Sequence, residues 1–268
     1  MAEVKPAEKL PLFGVGISPT TYAEATAVII ESARSHTSFG LSALATHGLM
    51  YAVLDSEFAE VLAHLDLVTP DGQPVRWAMN ILLGTGLTDR VYGPTLTALV
   101  CAEAERAQLS VYLFGSTEAT CTRLTAALGE KFPKLRIAGV QPDRFREATT
   151  KEDEGDVARI IESGANIILV GRGCPRQERW VDAHLGVIPA AMLAVGAAFD
   201  YLAGTLKPPP HWMQDAGLEW MFRLYQEPQR LWRRYLWTNT YFVVRFVGAW
   251  SRKRYGELRS QLGRFQTR

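Results

Sequence analysis

Four short stretches pair a side chain able to move a proton or hold an anion with glycine or proline neighbours that fix its position. In Pro70-Asp71-Gly72-Gln73 a proline and a glycine hold one carboxylate in a tight turn after an apolar run, the rigid presentation that a general base needs. An Asx turn or a helix N-cap is the plainer reading of the same residues. Gly115-Ser116-Thr117 sits where a strand turns into a helix, and backbone N–H groups at a helix start suit a phosphate. The run lacks both GxGxxG and GxxxxGK[ST], so it is weak as a motif. Gly171-Arg172-Gly173-Cys174-Pro175-Arg176-Gln177-Glu178 joins a glycine-rich loop to a proline-started helix. Gln177 can donate and accept toward a base or a sugar, whereas Glu178 need do no more than favour the helix dipole. Cys174 reads as an inert thiol. In Val195-Gly196-Ala197-Ala198-Phe199-Asp200 small residues let a ligand approach the backbone, and Asp200 is either a partner for a base or ribose or a helix cap.

Two single residues complete the candidates. His47 follows a strand and is either catalytic or a satisfied structural histidine. Arg90 offers a bidentate fork for a diphosphate, or a salt bridge with Asp89 or a neighbour. No two aspartates are separated by a single residue and no HExxH occurs, so no cofactor and no metal are expected. The charge of a leaving diphosphate then falls to arginines and backbone N–H groups.

These residues need a frame, and the apolar pattern describes one. Short β-rich runs at 12–17, 41–46, within DLVTPDG, at 111–115 and in LRIAGV, NIILVG and MLAVG alternate with helical stripes at 48–64, 75–83, 95–107 and 118–131. Further helices begin near Ser18-Pro19, Lys151 and Pro175. Strands this continuously apolar are buried on both faces, which predicts an α/β fold with a mostly parallel, Rossmann-like sheet flanked by helices. Pro208-Pro209-Pro210 divides the chain into an α/β core over 1–210 and a helical appendage over 211–268. A Rossmann dehydrogenase is disfavoured, since GVGISP lacks the third glycine and the acidic residue expected about 20 residues on.

With 268 residues, 47% of them apolar, and 29 Lys+Arg against 28 Asp+Glu, the chain is of a globular type. No apolar run reaches the ~18 residues of a spanning helix. Glu3, Lys5, Glu8 and Lys9 stand where a secretory signal needs an apolar stretch, which predicts a cytoplasmic protein. Three cysteines without a CxxC pair argue against a disulfide framework or a zinc site. The near-neutral total conceals an asymmetry: from Arg230 to Arg268, Arg264 included, ten bases face the single acid Glu257. The same segment carries nine of the 27 aromatic residues, Phe265 the last of them. Basic and aromatic together suit an anionic membrane surface; packing on its own core, a homo-oligomer contact and a nucleic-acid patch are the alternatives, the last without any supporting motif.

PDGQPVRWAMN, DRVYG, VYLFGS, GRGCPRQERW, VGAAFDYLAG and GLEWMFRLYQEPQRLWRR, in that order, resemble the successive motifs of the WecG/TagA/CpsF glycosyltransferases, glycosyltransferase family 26, over about 12–234. The resemblance implies an inverting, metal-independent transfer of a sugar, of N-acetylmannosamine type or a related hexose, from a UDP-sugar to a polyprenyl-diphosphate-linked saccharide. It places the protein peripherally at the inner face of the membrane, in cell-surface or exopolysaccharide synthesis, with no nucleic-acid partner. Asp71 would be the base. Arg90, Gly93, Gly115, Ser116, Gln177, Gly196, Phe199 and Asp200 would form the nucleotide-sugar site, and Gln73, Arg223, Arg230 and Arg233 would meet the acceptor diphosphate. The family's Thr-X-Asn pair is absent from Ala43-Leu44-Ala45-Thr46-His47-Gly48, where Thr46 or His47 would replace it. Leu206-Lys207-Pro208-Pro209 likewise stands where the family has Lys-Arg-Ala-Pro. An inactive nucleotide-sugar-binding or scaffold protein of a polysaccharide assembly complex is the alternative reading.

Overall fold

Amphipathic stretches and short apolar runs alternate along the chain. The runs at 39–44, 67–70, 110–115, 167–171 and 191–194 are largely buried as strands, while that at 136–141 is a partly exposed edge strand. The structure, a computed structural model, describes residues 5–266. Glu3 and Arg268 lie outside the described residues, as do the side chains of Arg264 and Phe265. The chain opens with the hairpin β1 (Leu10–Leu12) and β2 (Val15–Ile17), then α1 (Tyr22–Arg34), β3 (Phe39–Leu44), α2 (Thr46–Leu54), α3 (Ser56–His64) and β4 (Leu67–Pro70). α4 (Gln73–Ala78) runs into a π-turn at Met79–Leu83, followed by α5 (Gly93–Arg106), β5 (Ser110–Gly115), α6 (Glu118–Lys131), β6 (Arg136–Gln141) and α7 (Thr150–Glu162). β7 (Ile167–Gly171), α8 (Arg176–Ala183), β8 (Ala191–Ala194) and α9 (Ala198–Leu202) close the α/β part; α10 (His211–Asp215), α11 (Glu219–Gln226) and α12 (Pro228–Gln266) follow.

Six strands form one parallel sheet in the order β4-β3-β8-β7-β5-β6. The continuous apolarity of its central strands has a direct cause. Ile167 and Leu169 of β7 enter the core on one face with Leu96, Val111 and Leu193, while Ile168 and Val170 enter the other with Phe58, Phe114 and Met192. Each such fully buried side chain contributes roughly 1.5–3 kcal/mol.

Three expected boundaries move, each for a local reason. The strand expected over 12–17 is a hairpin, reversed at Phe13 and Gly14, both at positive φ (54° and 91°). The first helix does not open at Ser18-Pro19: Thr21 and Glu24 build a reciprocal capping box three residues later, and buried Ser18 instead exchanges hydrogen bonds with Val68. The stretch 48–64 is two helices, because the Asp55 carboxylate accepts the Phe58 N–H and starts a second one.

α12 packs one side on its own core and leaves the other side exposed. Leu231, Tyr235, Thr238 and Phe242 recur at helical spacing and are buried against α2 and the π-turn, with Phe13 meeting Phe242 edge to face. The other side exposes Trp232, Leu236, Trp237, Val244, Val247 and Trp250. No helix among the described residues is long and apolar enough to cross a membrane.

Candidate active site

Parallel strands bring their C-terminal ends, and the loops that follow, to one edge of the sheet, which is where open α/β sheets bind ligands. Here the ends of β3, β4, β7 and β8 line a cleft of about 850 Å³, and α4, α11 and α12 supply its opposite wall.

Asp71 lies in that cleft. Its backbone N–H bonds the Leu44 carbonyl and its Oδ2 accepts the Gly93 N–H at 2.8 Å. A side chain on residue 93 would sit 3.1 Å from that oxygen, so glycine is what allows α5 to begin against the carboxylate. The N-cap reading fails, because Gly72, not Asp71, occupies the N-cap of α4, and no side chain caps it. Burial pushes the Asp71 carboxyl up to about 6, against the opposing pull of Arg90, the Gly93 N–H and Arg223. Such a group is ionised just above that pH and still basic enough to take a proton. Gln73 follows in the first turn of α4, buried, with its Oε1 unpartnered.

Thr46 and His47 open α2 and both line the cleft. Burial, with Arg234 and Arg223 nearby, pushes the His47 imidazole down to about 3, so it is neutral in the open cleft. Its Nε2 is sealed from solvent without a partner.

Across the floor, Gln177 accepts the Gly173 N–H at 3.1 Å and donates to Glu178 Oε1 at 2.9 Å, which also accepts the Ser42 hydroxyl at 3.1 Å. Glu178 is therefore the buried hub of the PRQE turn and not a surface charge serving a helix dipole; burial raises its carboxyl above the usual range. The signal was Ser42, a lone hydroxyl in an otherwise apolar strand. Cys174, whose thiol is raised by burial, fits the inert reading. Gly196 (φ 54°) passes beside the Gln177 amide, and Ser116 (φ 56°) and Asp200 also line the cavity. Asp200 is in the first turn of α9, not at its cap, and takes the Thr205 hydroxyl at 3.3 Å.

Five expected ligand residues do not reach the cavity. Arg90 is buried and spent on Glu219: Nη2 donates to Oε1 at 2.7 Å and Nη1 to Oε2, which ties α11 to the core and leaves no fork for a diphosphate. Gly93 serves Asp71 through its N–H, as described. Gly115 (φ 128°) is where β5 passes β7, since a Cβ there would lie 2.5 Å from the Gly171 carbonyl carbon. Phe199 packs beneath Gly171 as part of the core. Arg233 points outward over the Trp232 ring. The next residue takes its place: Arg234 lines the cleft with Arg223 and Arg230. A one-residue offset on a helix turns a side chain by about 100°, which motif matching alone does not resolve. Tyr92, Trp77 and Glu219 also line the cavity and were not anticipated. Among the described residues, no three His, Cys, Asp or Glu side chains come together as a metal-holding group.

An α/β core presents a carboxylate and a glutamine at its strand ends, faced by arginines of α11 and α12, and comparison gives the class. The glycosyl transferase WecG/TagA/CpsF family model matches residues 10–256. The chain belongs to that family and is a glycosyltransferase. It is 25% identical over 186 residues to the N-acetylglucosaminyldiphosphoundecaprenol N-acetyl-beta-D-mannosaminyltransferase of Bacillus subtilis (strain 168), covering 69% of this chain and 70% of that one. It is 27% identical, with the same coverage, to the enzyme of the same name from Bacillus spizizenii.

Proposed function

We propose that the protein moves a hexose or N-acetylhexosamine from a UDP-sugar to a saccharide carried on a polyprenyl diphosphate, with inversion, without a metal ion, and at the inner surface of the cell membrane. The observation that carries this reading is the Asp71 carboxyl: fixed by the Gly93 N–H, raised to about 6 and open to a cleft that also holds Arg223, Arg230 and Arg234. In the proposed step Asp71 takes the proton of the acceptor hydroxyl as its oxygen bonds the anomeric carbon. The sugar–phosphate bond breaks on the opposite face, and its electron pair leaves with the diphosphate. The arginines offset that charge in a partly dehydrated site, where electrostatic stabilisation is strongest. Acceptor identity is supported by the two relatives, which are named for transfer to an undecaprenol-linked diphosphate sugar.

The exposed face of α12 supports a membrane site of action. Trp232, Trp237 and Trp250 stand among Arg233, Arg245 and Arg252, which suits an anionic interface. A donor screen tests the function: the purified chain, a short prenyl-diphosphate sugar acceptor and a panel of nucleotide sugars, with product mass as readout and EDTA in parallel. Transfer from a UDP-sugar that survives chelation is expected. Turnover confined to other nucleotides, or abolished by EDTA and restored by a metal, overturns the corresponding part.

A further inference from the structure

Three sealed nitrogens in the cleft have no hydrogen-bond partner: Nε2 of His47, Nε of Arg223 and Nε of Arg234. They arrive from three elements, the first turn of α2, the last turns of α11 and the start of α12. A guanidinium Nε–H can only donate, and leaving it sealed and unpaired is destabilising. The two carboxylates closest in sequence to Arg223 are already engaged: Glu219 is held by Arg90, and Glu227 receives Arg230 Nε at 2.9 Å and meets Arg223 only at 4.0 Å. Two unpartnered acceptors, Gln73 Oε1 and Glu178 Oε2, also belong to the cleft lining but bond none of these nitrogens, and an oxyanion with several oxygens supplies the partners the nitrogens lack.

We infer that His47 is the proton-sensitive member of a diphosphate cradle completed by Arg223 and Arg234, and that a diphosphate entering the cleft draws one proton from solvent onto the imidazole. The inference deepens the proposed transfer and rests on it for the source of the diphosphate, which is the donor nucleotide or the lipid acceptor. In the open cleft burial and the two arginines hold the ring neutral. An oxyanion between them offsets the arginine charges and gives Nε2–H an acceptor, and both changes favour the imidazolium. The other titratable or charged groups on the walls are Asp71 after β4, Tyr92 before α5, Arg172, Cys174 and Glu178 on the α8 side, Asp200 and Tyr201 on α9, Glu219 on α11, and Arg230 and Tyr235 on α12. Asp71, Glu178 and Asp200, with carboxyls raised by burial, are the rival proton acceptors.

Isothermal calorimetry on the full chain tests this with inorganic pyrophosphate, UDP and a short prenyl diphosphate, each in buffers of different ionisation enthalpy. After subtraction of the ligand's own protonation, wild type is expected to show net proton uptake that grows from pH 7 to pH 6. Asp71→Asn, Glu178→Gln and Asp200→Asn retain the uptake and His47→Gln loses it. Between pH 8 and pH 6 the affinity of wild type gains on that of His47→Gln by up to about tenfold per pH unit. Uptake with UDP alone assigns the cradle to the donor, with the prenyl diphosphate alone to the acceptor. No uptake, uptake that persists in His47→Gln, or failure of all three ligands to bind overturns the inference. UDP that binds without proton uptake leaves the transferase reading standing; His47-dependent uptake with pyrophosphate but no binding of UDP leaves the cradle standing and removes the donor. Should His47→Gln fail to fold, the ring resonances of wild-type histidine decide: they move to the imidazolium position on addition of pyrophosphate, or the inference fails.

Discussion

Asp71 stores the tension between stability and chemistry in this protein. Its carboxyl is raised in the folded chain, so the linked stability is fully present below the unfolded value near 4 and is lost as pH rises toward about 6. At neutral pH the protein therefore carries a charged group that its fold disfavours. Asp71→Asn, which keeps an acceptor for the Gly93 N–H, is expected to raise the melting temperature at pH 7.5 through a gain of up to about 3 kcal/mol that vanishes by pH 4. The same variant should lose roughly 10²–10⁴-fold in kcat; retained turnover removes Asp71 as the base. Wild-type kcat/KM should fall below pH 6 with a slope of one proton. Asp71 was legible from Pro70 and Gly72, because local geometry sufficed. Arg90 was not: its partner Glu219 is 129 residues away, and no local pattern announces so distant a claim on a guanidinium.

At the level of elements, the Arg90–Glu219 pair joins the strand-end loops to α11. Both side chains are largely buried, at 4% and 17% exposure, so removing one partner strands the other and costs about 3–5 kcal/mol. Arg90→Ala should loosen α10 and α11 while the sheet persists. Faster amide exchange over 211–226 with unchanged protection in β5 and β7 is the expected pattern, and uniform loss of protection would assign Arg90 to the global fold. Gly115→Ala tests the opposite dependence. With its Cβ driven into Gly171, it should destabilise the whole sheet by more than ~1–3 kcal/mol. Parallel strands and their order of burial were readable because β7 and β8 are apolar on both faces. The helix break at Asp55 and the hairpin at Phe13 were not, because single caps and turns are weak against an apolar run that continues through them.

For the whole molecule, the decisive feature is that one long helix does two jobs. Buried Leu231, Tyr235 and Phe242 hold α12 to the core, Arg230 and Arg234 reach the cleft, and Trp232, Trp237 and Trp250 face outward. Replacing those three tryptophans with serine is expected to weaken binding to anionic vesicles several-fold while transfer to a short, soluble acceptor persists. Equal loss of both would mean the exposed face supports the fold and not a membrane. Truncation after Pro228 should leave a folded sheet with little transfer to lipid-linked acceptor and poor vesicle binding. Composition foretold the basic, aromatic character of this helix, yet it could not apportion residues between core, cleft and surface. That division depends on angular position, so Arg233 and Arg234, neighbours in sequence, have opposite fates.

The wall contributed by residues 216–246 is made after every strand of the sheet. A nascent chain that has just finished β8 already displays the carboxylate of Asp71 but none of the three guanidiniums from α11 and α12. Completion of the cleft is thus deferred until α11 and α12 have been made, after the whole sheet.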